Sequence, residues 1–182
     1  MPSNEPAGDT GRGLPEQWTI EPMAERHDRA GFSCGKPPLD LFLQQYAGQY
    51  VRKGIARVYV ACYPLSPVVA GYYTLSSGQL DLKCMPEAAK KRLPKHPLPV
   101  ILLGRLAVAQ SHQKRGLGEG LLMDALQRAV DASEDVAAHA VEVTAIDADA
   151  VGFYVKYGFA PLVDDPLHLY LPLTKAREAL DG

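Results

Sequence analysis

Residues 100–130 constrain the fold more than any other stretch of the chain. Residues 100–108 form an apolar run of strand length, and Gln113-Lys114-Arg115-Gly116-Leu117-Gly118 follows as a glycine turn. Leu117, Leu121, Leu122, Ala125, Leu126, Ala129 and Val130 then recur on one face of a helix of about four turns. A strand feeding a glycine turn that opens a helix aims backbone N–H groups and the positive helix end at one spot, which suits a pyrophosphate. Gly116 and Gly118 let the backbone come close to such a ligand. Two turn glycines before a helix can also occur with no ligand at all, so the neighbours carry the weight. Gln113 stands three residues before Gly116, and Lys114 and Arg115 add positive charge. A dinucleotide-binding fingerprint fits less well, because Leu121 occupies the place of the third glycine in Gly-x-Gly-x-x-Gly.

The flanking elements alternate in type. Pro37 and Pro38 suit a first helical turn, after which Leu39, Phe42, Leu43, Tyr46, Ala47 and Tyr50 share one helix face. Residues 57–63 and 69–76 are β-branched and aromatic runs joined by Pro64-Leu65-Ser66-Pro67, the pattern of an antiparallel hairpin. Residues 86–93 suit a short helix, and Pro94, Pro97 and Pro99 punctuate the chain before the central strand. Residues 138–146 read as the next strand. Asp147 caps a helix over 148–157 that Gly158 ends, and 159–163 and 167–173 close as strands. The sum is a mixed α/β fold built on one sheet.

A length of 182 residues with 47% hydrophobic content fits one domain, placed at 18–176. Residues 1–17, rich in Pro, Gly and small polar residues, read as a flexible tail, and 177–182 as a C-terminal tail. No apolar run approaches the roughly 18–20 residues of a membrane helix, so a cytoplasmic protein is expected. Cys34, Cys62 and Cys84 form no Cys-x-x-Cys pair, and neither a disulfide framework nor a metal site is indicated.

Gln113-x-x-Gly116-x-Gly118 resembles the acyl-CoA-binding motif of the GNAT N-acetyltransferases. The resemblance implies a mostly antiparallel sheet with flanking helices and a splayed central strand pair, with acetyl-CoA as cofactor. It places Leu106, Ala107 and Val108 along the pantetheine arm and Gln113, Lys114, Arg115, Gly116, Leu117, Gly118 and Glu119 around the diphosphate. Asp147 stands where many relatives carry a polar residue near the cofactor, although a plain helix cap explains it as well. Downstream, Phe153-Tyr154-x-Lys156-x-Gly158-Phe159 resembles the segment in which these enzymes place a tyrosine near the thioester sulfur. Tyr154 is therefore the candidate general acid, since a phenol is protonated near neutral pH and can donate to a departing thiolate. Phe153, Tyr157 and Phe159 are assigned to packing. Glu142 is a weaker candidate for a general base, and water serves equally well.

The amino-terminal half narrows the resemblance. Phe32-Ser33-Cys34-Gly35-Lys36-Pro37-Pro38-Leu39-Asp40, Gly71-Tyr72-Tyr73-Thr74-Leu75 and Leu103-Gly104-Arg105-Leu106-Ala107-Val108 are similar to segments of TacT-type toxins. That likeness implies acetylation of the α-amine of aminoacyl-tRNA, arrest of translation, a ribbon-helix-helix antitoxin as partner, and a homodimer as an expectation. Charge agrees with a polyanionic acceptor. Residues 36–115 hold 12 Lys and Arg against 3 Asp and Glu, while the rest of the chain holds 7 against 18. The tRNA-binding candidates are Lys36, Arg52, Lys53, Lys90, Lys91, Arg92 and Lys95. His112, beside the turn, is a candidate for orienting cofactor phosphates. Two alternatives stand beside this reading: acetylation of a small-molecule or protein amine, and a CoA-binding regulatory module without catalysis.

Overall fold

Strand β2 (Arg57–Cys62) and strand β3 (Gly71–Leu80) form the expected antiparallel hairpin, and β1 (Thr19–Pro22) pairs with the outer edge of β2. The computed structural model describes residues 17–182, so the segment read as an N-terminal tail lies outside the described residues except for Gln17. Strand β4 (Leu98–Val108) lies against β3 along its whole length, and β5 (Ala140–Thr144) lies beside β4 as the sheet's parallel neighbour. Strands β6 (Ala160–Pro161) and β7 (His168–Pro172) complete a seven-stranded sheet in the order β1-β2-β3-β4-β5-β7-β6. β6 is shorter than the sequence pattern predicts; Pro161 has no N–H to extend a ladder.

The helices cover both faces. Residues 37–52 are helical, but as α1 (Pro37–Leu41), a π-helical turn (Phe42–Tyr46) and α2 (Ala47–Arg52). The π turn widens the spiral, which shifts the apolar stripe: Phe42, Leu43 and Ala47 stay buried, whereas Tyr46 is turned outward with 44% of its surface exposed. Helix α3 (Glu87–Lys90) is short, while α4 (Leu117–Asp135) is longer than the apolar repeat alone predicts. Helix α5 (Ala148–Lys156) precedes β6, and α6 (Leu173–Asp181) follows β7. Thus 177–181 are helical rather than a tail: Leu173 and Ala176 are buried, and the Arg177 guanidinium donates to Ser133 Oγ at 3.0 Å.

Alternation along β2 and β3 divides the core. Ala61 and Tyr73 face the α4 side, and Val60 and Tyr72 face the side covered by Phe32, Phe42 and Leu43. Seven residues of α4 at helical spacing, from Leu117 to Val130, are buried against the first face. The Tyr73 hydroxyl donates to Asp124 Oδ2 at 2.5 Å, tying β3 to α4. Leu121 has no exposed surface. Leu121→Ala is expected to cost about 2–5 kcal/mol, read as a lowered denaturation midpoint. Among the described residues no helix is long and apolar enough to cross a membrane.

The centre of the sheet is split. β4 pairs with β3 as far as Val108, but with β5 only through Val100–Leu102 opposite Ala140–Glu142. The register slips between Thr74 and Leu75, leaving Gly104 as the unpaired extra residue of a bulge. Any side chain at 104 meets Thr74 Oγ1 within 2.9 Å of its Cβ, so the bulge requires glycine. Beyond it the two parallel strands no longer pair, and a cleft opens at their ends.

Candidate active site

The cleft has a volume of about 560 Å3 and opens between the ends of β4 and β5. Of the residues singled out in the sequence, Leu106, Ala107, Val108, Gln113, Lys114, Gly118, Asp147 and Tyr154 all line it. Leu106 and Val108 pack toward the α4 face and Ala107 toward the other, so the cleft runs along the edge of β4 that β5 leaves unpaired.

The glycine turn has the geometry of an anion cradle. Lys114 and Gly116 both hold positive φ, 63° and 87°, which curls the backbone and leads it into α4. Gly116 is the N-cap and supplies no side-chain acceptor, so the first N–H groups of α4 remain available to a ligand, reinforced by the helix dipole. Leu117 is 1% exposed and anchors the helix start in the core rather than touching the cleft. A Cβ on Gly118 lies 3.8 Å from both Phe153 and Val108, two walls of the cleft. Arg115, Gly116 and Glu119 belong to the turn and first helical turn without lining the cavity.

Gln113 acts as a clamp. Its Nε2 donates to the carbonyls of Cys34 and Val108, both at 2.9 Å, and so fastens the end of β4 to the segment before α1. That segment forms a wall of the cleft through Cys34 and Lys36, continued by Leu39 of α1. Its shape is enforced from three sides: the Cys34 N–H donates to Asp40 Oδ1 at 2.8 Å, Gln110 N–H donates to the Ser33 carbonyl at 2.8 Å, and Gly35 has φ 89°. Burial and the Asp40 contact push the Cys34 thiol up to about 11, so it lines the cleft as a neutral group at physiological pH.

Asp147 caps α5, accepting from the Ala150 N–H at 2.9 Å, and meets Lys36 Nζ at 2.6 Å. The Lys36 ammonium holds the Asp147 carboxyl below its usual range. This exposed pair joins the α1 side of the cleft to the α5 side. Lys36, named in the sequence as a tRNA-binding candidate, thus also lines the cleft.

Tyr154 lines the cleft but is only 5% exposed, its ring edge-on to Phe153 and Phe159 at 5.2 and 5.3 Å. Burial alone pushes its phenol above the ordinary tyrosine range, so the hydroxyl keeps its proton. The ring also borders a smaller chamber of about 40 Å3 that reaches Gly104 and Arg105.

The GNAT acetyltransferase domain matches residues 100–168, from the base of β4 through α5 to β7. A tRNA-acetylating toxin of Mycobacterium tuberculosis is 38% identical over 155 residues, which are 85% of this chain and 92% of the relative. The chain belongs to the GNAT acetyltransferases. Two solved structures resemble this acetyltransferase throughout. AtaT complexed with acetyl-methionyl-tRNAfMet has a TM-score of 0.83 and 33% identity, covering 91% of this chain and all of the other. A tyrosine-to-phenylalanine mutant of AtaT, bound to the C-terminus of the antitoxin AtaR and acetyl-CoA, has a TM-score of 0.77 and 31% identity, covering 91% and 99%.

Other expectations about this GNAT enzyme do not converge on the cleft. Glu142 is bonded to His168 Nε2 and is not among the residues that line the cavity. Glu142→Gln is accordingly expected to leave kcat near the parent value in a steady-state acetylation assay. His112 stacks on Tyr63 at 4.9 Å and lies 2.9 Å from Ser111 Oγ, so it is held beside the turn without lining the cavity. Arg52 and Lys53 lie at the end of α2, and Lys90, Lys91, Arg92 and Lys95 lie on and after α3, before the opposite end of β4. Lys90 pairs with Glu87 at 3.0 Å.

Sequence reasoning missed Arg105 and assigned Phe153 only to packing. The Arg105 guanidinium lies 3.7 Å from the centre of the Phe42 ring and 5.6 Å from that of Tyr50, bordering the small chamber. Its signal was the Leu103-Gly104-Arg105 string, in which the bulge glycine brings the next side chain to the chamber. Trp18 was also missed; a Cβ on Gly120 comes within 2.9 Å of its ring, so α4 is small there to admit the indole.

Proposed function

We propose that this chain transfers the acetyl group of acetyl-CoA to the α-amine of aminoacyl-tRNA in the cytoplasm and so arrests translation as a toxin. The position of Tyr154 carries the reading: its ring is shared by the large cleft and the small chamber, at the point where a thioester entering from one side meets an amine entering from the other. Three features fit acetyl-CoA to the large cleft, namely the unpaired edge of β4, the uncapped start of α4 and the positive-φ turn at Lys114 and Gly116. Leu106, Ala107 and Val108 hold the pantetheine arm. The N–H groups from Gln113 to Glu119 hold the diphosphate, with Lys114 and Arg115 supplying positive charge and Gln113 keeping the cradle closed. Bound acetyl-CoA supplies the acetyl group as a thioester.

Tyr154 holds a proton at Oη in a site where burial favours the protonated oxygen; it donates that proton to the departing sulfur and is reprotonated through water, which carries the proton lost by the acetylated nitrogen. An α-amine, whose ordinary pKa is about 7.7–8.0, has a neutral fraction at physiological pH and reaches the site without a dedicated side-chain base. Arg105, fixed over Phe42, places a positive charge beside the small chamber, where it meets the phosphates of an entering acceptor end. Lys53 and Arg52 extend the positive surface, and Lys90 to Lys95 contact a more distant part of the tRNA. An antitoxin is the expected partner, as AtaR is for AtaT.

The test is cell-free translation. The chain is expected to halt synthesis only when acetyl-CoA is present, and continued synthesis at saturating acetyl-CoA contradicts the proposal.

A further inference from the structure

At the sheet margin, outside the cleft lining, Cys84, Asp164 and His168 bring one thiol, one carboxylate and one imidazole nitrogen within 4.8 Å of one another. They come from three segments: the end of the turn Leu82–Cys84, the loop after β6, and the first residue of β7. The backbone fixes their spacing. The Val163 N–H donates to the Cys84 carbonyl at 2.8 Å, the Leu162 N–H donates to the His168 carbonyl at 2.8 Å, and the His168 N–H donates to the Asp165 carbonyl at 3.1 Å. On the far side of the imidazole, Nε2 is bonded to Glu142 of β5, and Nδ1 lies 2.8 Å from Asp164 Oδ2.

We propose that this cluster is a site for a zinc-like divalent ion, with Cys84 Sγ, Asp164 carboxylate oxygen and His168 Nδ1 as ligands. The donor set is one that zinc favours: thiolate, imidazole and carboxylate, with bonds of roughly 2.0–2.3 Å in tetrahedral geometry. Glu142 supplies what a metal-bound histidine needs behind it. By accepting from Nε2–H, it fixes the tautomer that leaves the Nδ1 lone pair for the ion. Binding displaces the thiol proton of Cys84 and any proton shared between His168 and Asp164 to solvent. The ion's two positive charges are then matched by the thiolate and the Asp164 carboxylate. Asp164 is partly exposed, which leaves the fourth position to water. Leu80, Met85, Leu98, Leu162 and Tyr170 form the apolar shell nearby. An ion here joins the turn before α3, and so the base of the Lys90–Lys95 segment, to β5 and β7. The role is structural and independent of acetyl transfer.

The experiment titrates the full chain, stripped by a chelator and dialysed, with Co2+ and then Zn2+. One Co2+ per chain is expected, with a thiolate-to-cobalt charge-transfer band and tetrahedral d–d bands that Zn2+ abolishes. Cys84→Ser is expected to remove the charge-transfer band and Cys62→Ala to keep it. Glu142→Gln is expected to weaken binding by about 10–100-fold while leaving acetyl-CoA binding, the check on folding, at the parent level. Absence of the thiolate band, its persistence in Cys84→Ser, or unchanged affinity in Glu142→Gln overturns the proposal.

Discussion

Tyr154→Phe is expected to bind acetyl-CoA as the parent chain does while losing about 10²–10⁴-fold in kcat, the range for a positioned acid removed from a proton transfer. The substitution deletes one oxygen. The remaining ring still packs edge-on to Phe153 and Phe159, and the rest of the cleft wall is untouched. The lost hydroxyl is the proposed proton donor, on a residue that lines both cleft and chamber, and Lys36, one of the two basic lining residues, is paired with Asp147. Calorimetric titration of acetyl-CoA and pre-steady-state acetylation separate the two quantities. A fall in binding with kcat retained would return Tyr154 to the role of a packing aromatic.

Gly118→Leu carries the second large effect, and it acts in the opposite way. A Cβ at 118 stands 3.8 Å from Phe153 and Val108, so a longer side chain projects between two walls of the cleft. Position 118 is in the first turn of α4, where leucine is compatible with a helix, and the buried face of α4 is left as it is. Crowding of this kind costs about 1–3 kcal/mol, which is roughly a 5–150-fold loss of acetyl-CoA affinity. The far-UV circular dichroism spectrum is expected to match the parent's. Gly116→Ala provides a contrast, because nothing crowds a Cβ there; at φ 87° the penalty is backbone strain of about 1–2 kcal/mol, visible in thermal stability.

The parts of this site that the sequence disclosed are those whose components lie side by side in the chain. The cradle needs a strand end, two glycines and a helix start, all of which fall within residues 100–130. Tyr154 was legible because Phe153 and Gly158-Phe159 frame it on a short helix between two strands. Asp147 was legible as a cap, since the acceptor and the Ala150 N–H are three residues apart. The unreadable features are pairings between distant segments. No local pattern shows that Lys36 reaches Asp147, that Gln113 spans Cys34 and Val108, or that Glu142 turns toward His168. Local pattern also misled where geometry departs from a regular period. The π turn at Phe42–Tyr46 turns Tyr46 outward, and the amphipathic continuation of β7 makes 173–181 a packed helix. The net basic bias of residues 36–115 was real as composition but is spread over the cleft wall, the end of α2 and the approach to β4.

That distribution bears on the acceptor. Arg105 stands at the chamber, Arg52 and Lys53 follow α2, and the Lys90–Lys95 group lies beyond the other end of β4, an 11-residue strand of roughly 35 Å. A small amine touches only the first of these positions, whereas a tRNA is long enough to meet them all. Mass spectrometry of charged tRNA incubated with the chain and acetyl-CoA tests the central claim most directly. The account predicts one added acetyl group on the α-amine of the aminoacyl moiety and none on uncharged tRNA; unmodified aminoacyl-tRNA, alongside ready acetylation of a small amine such as a polyamine, contradicts it.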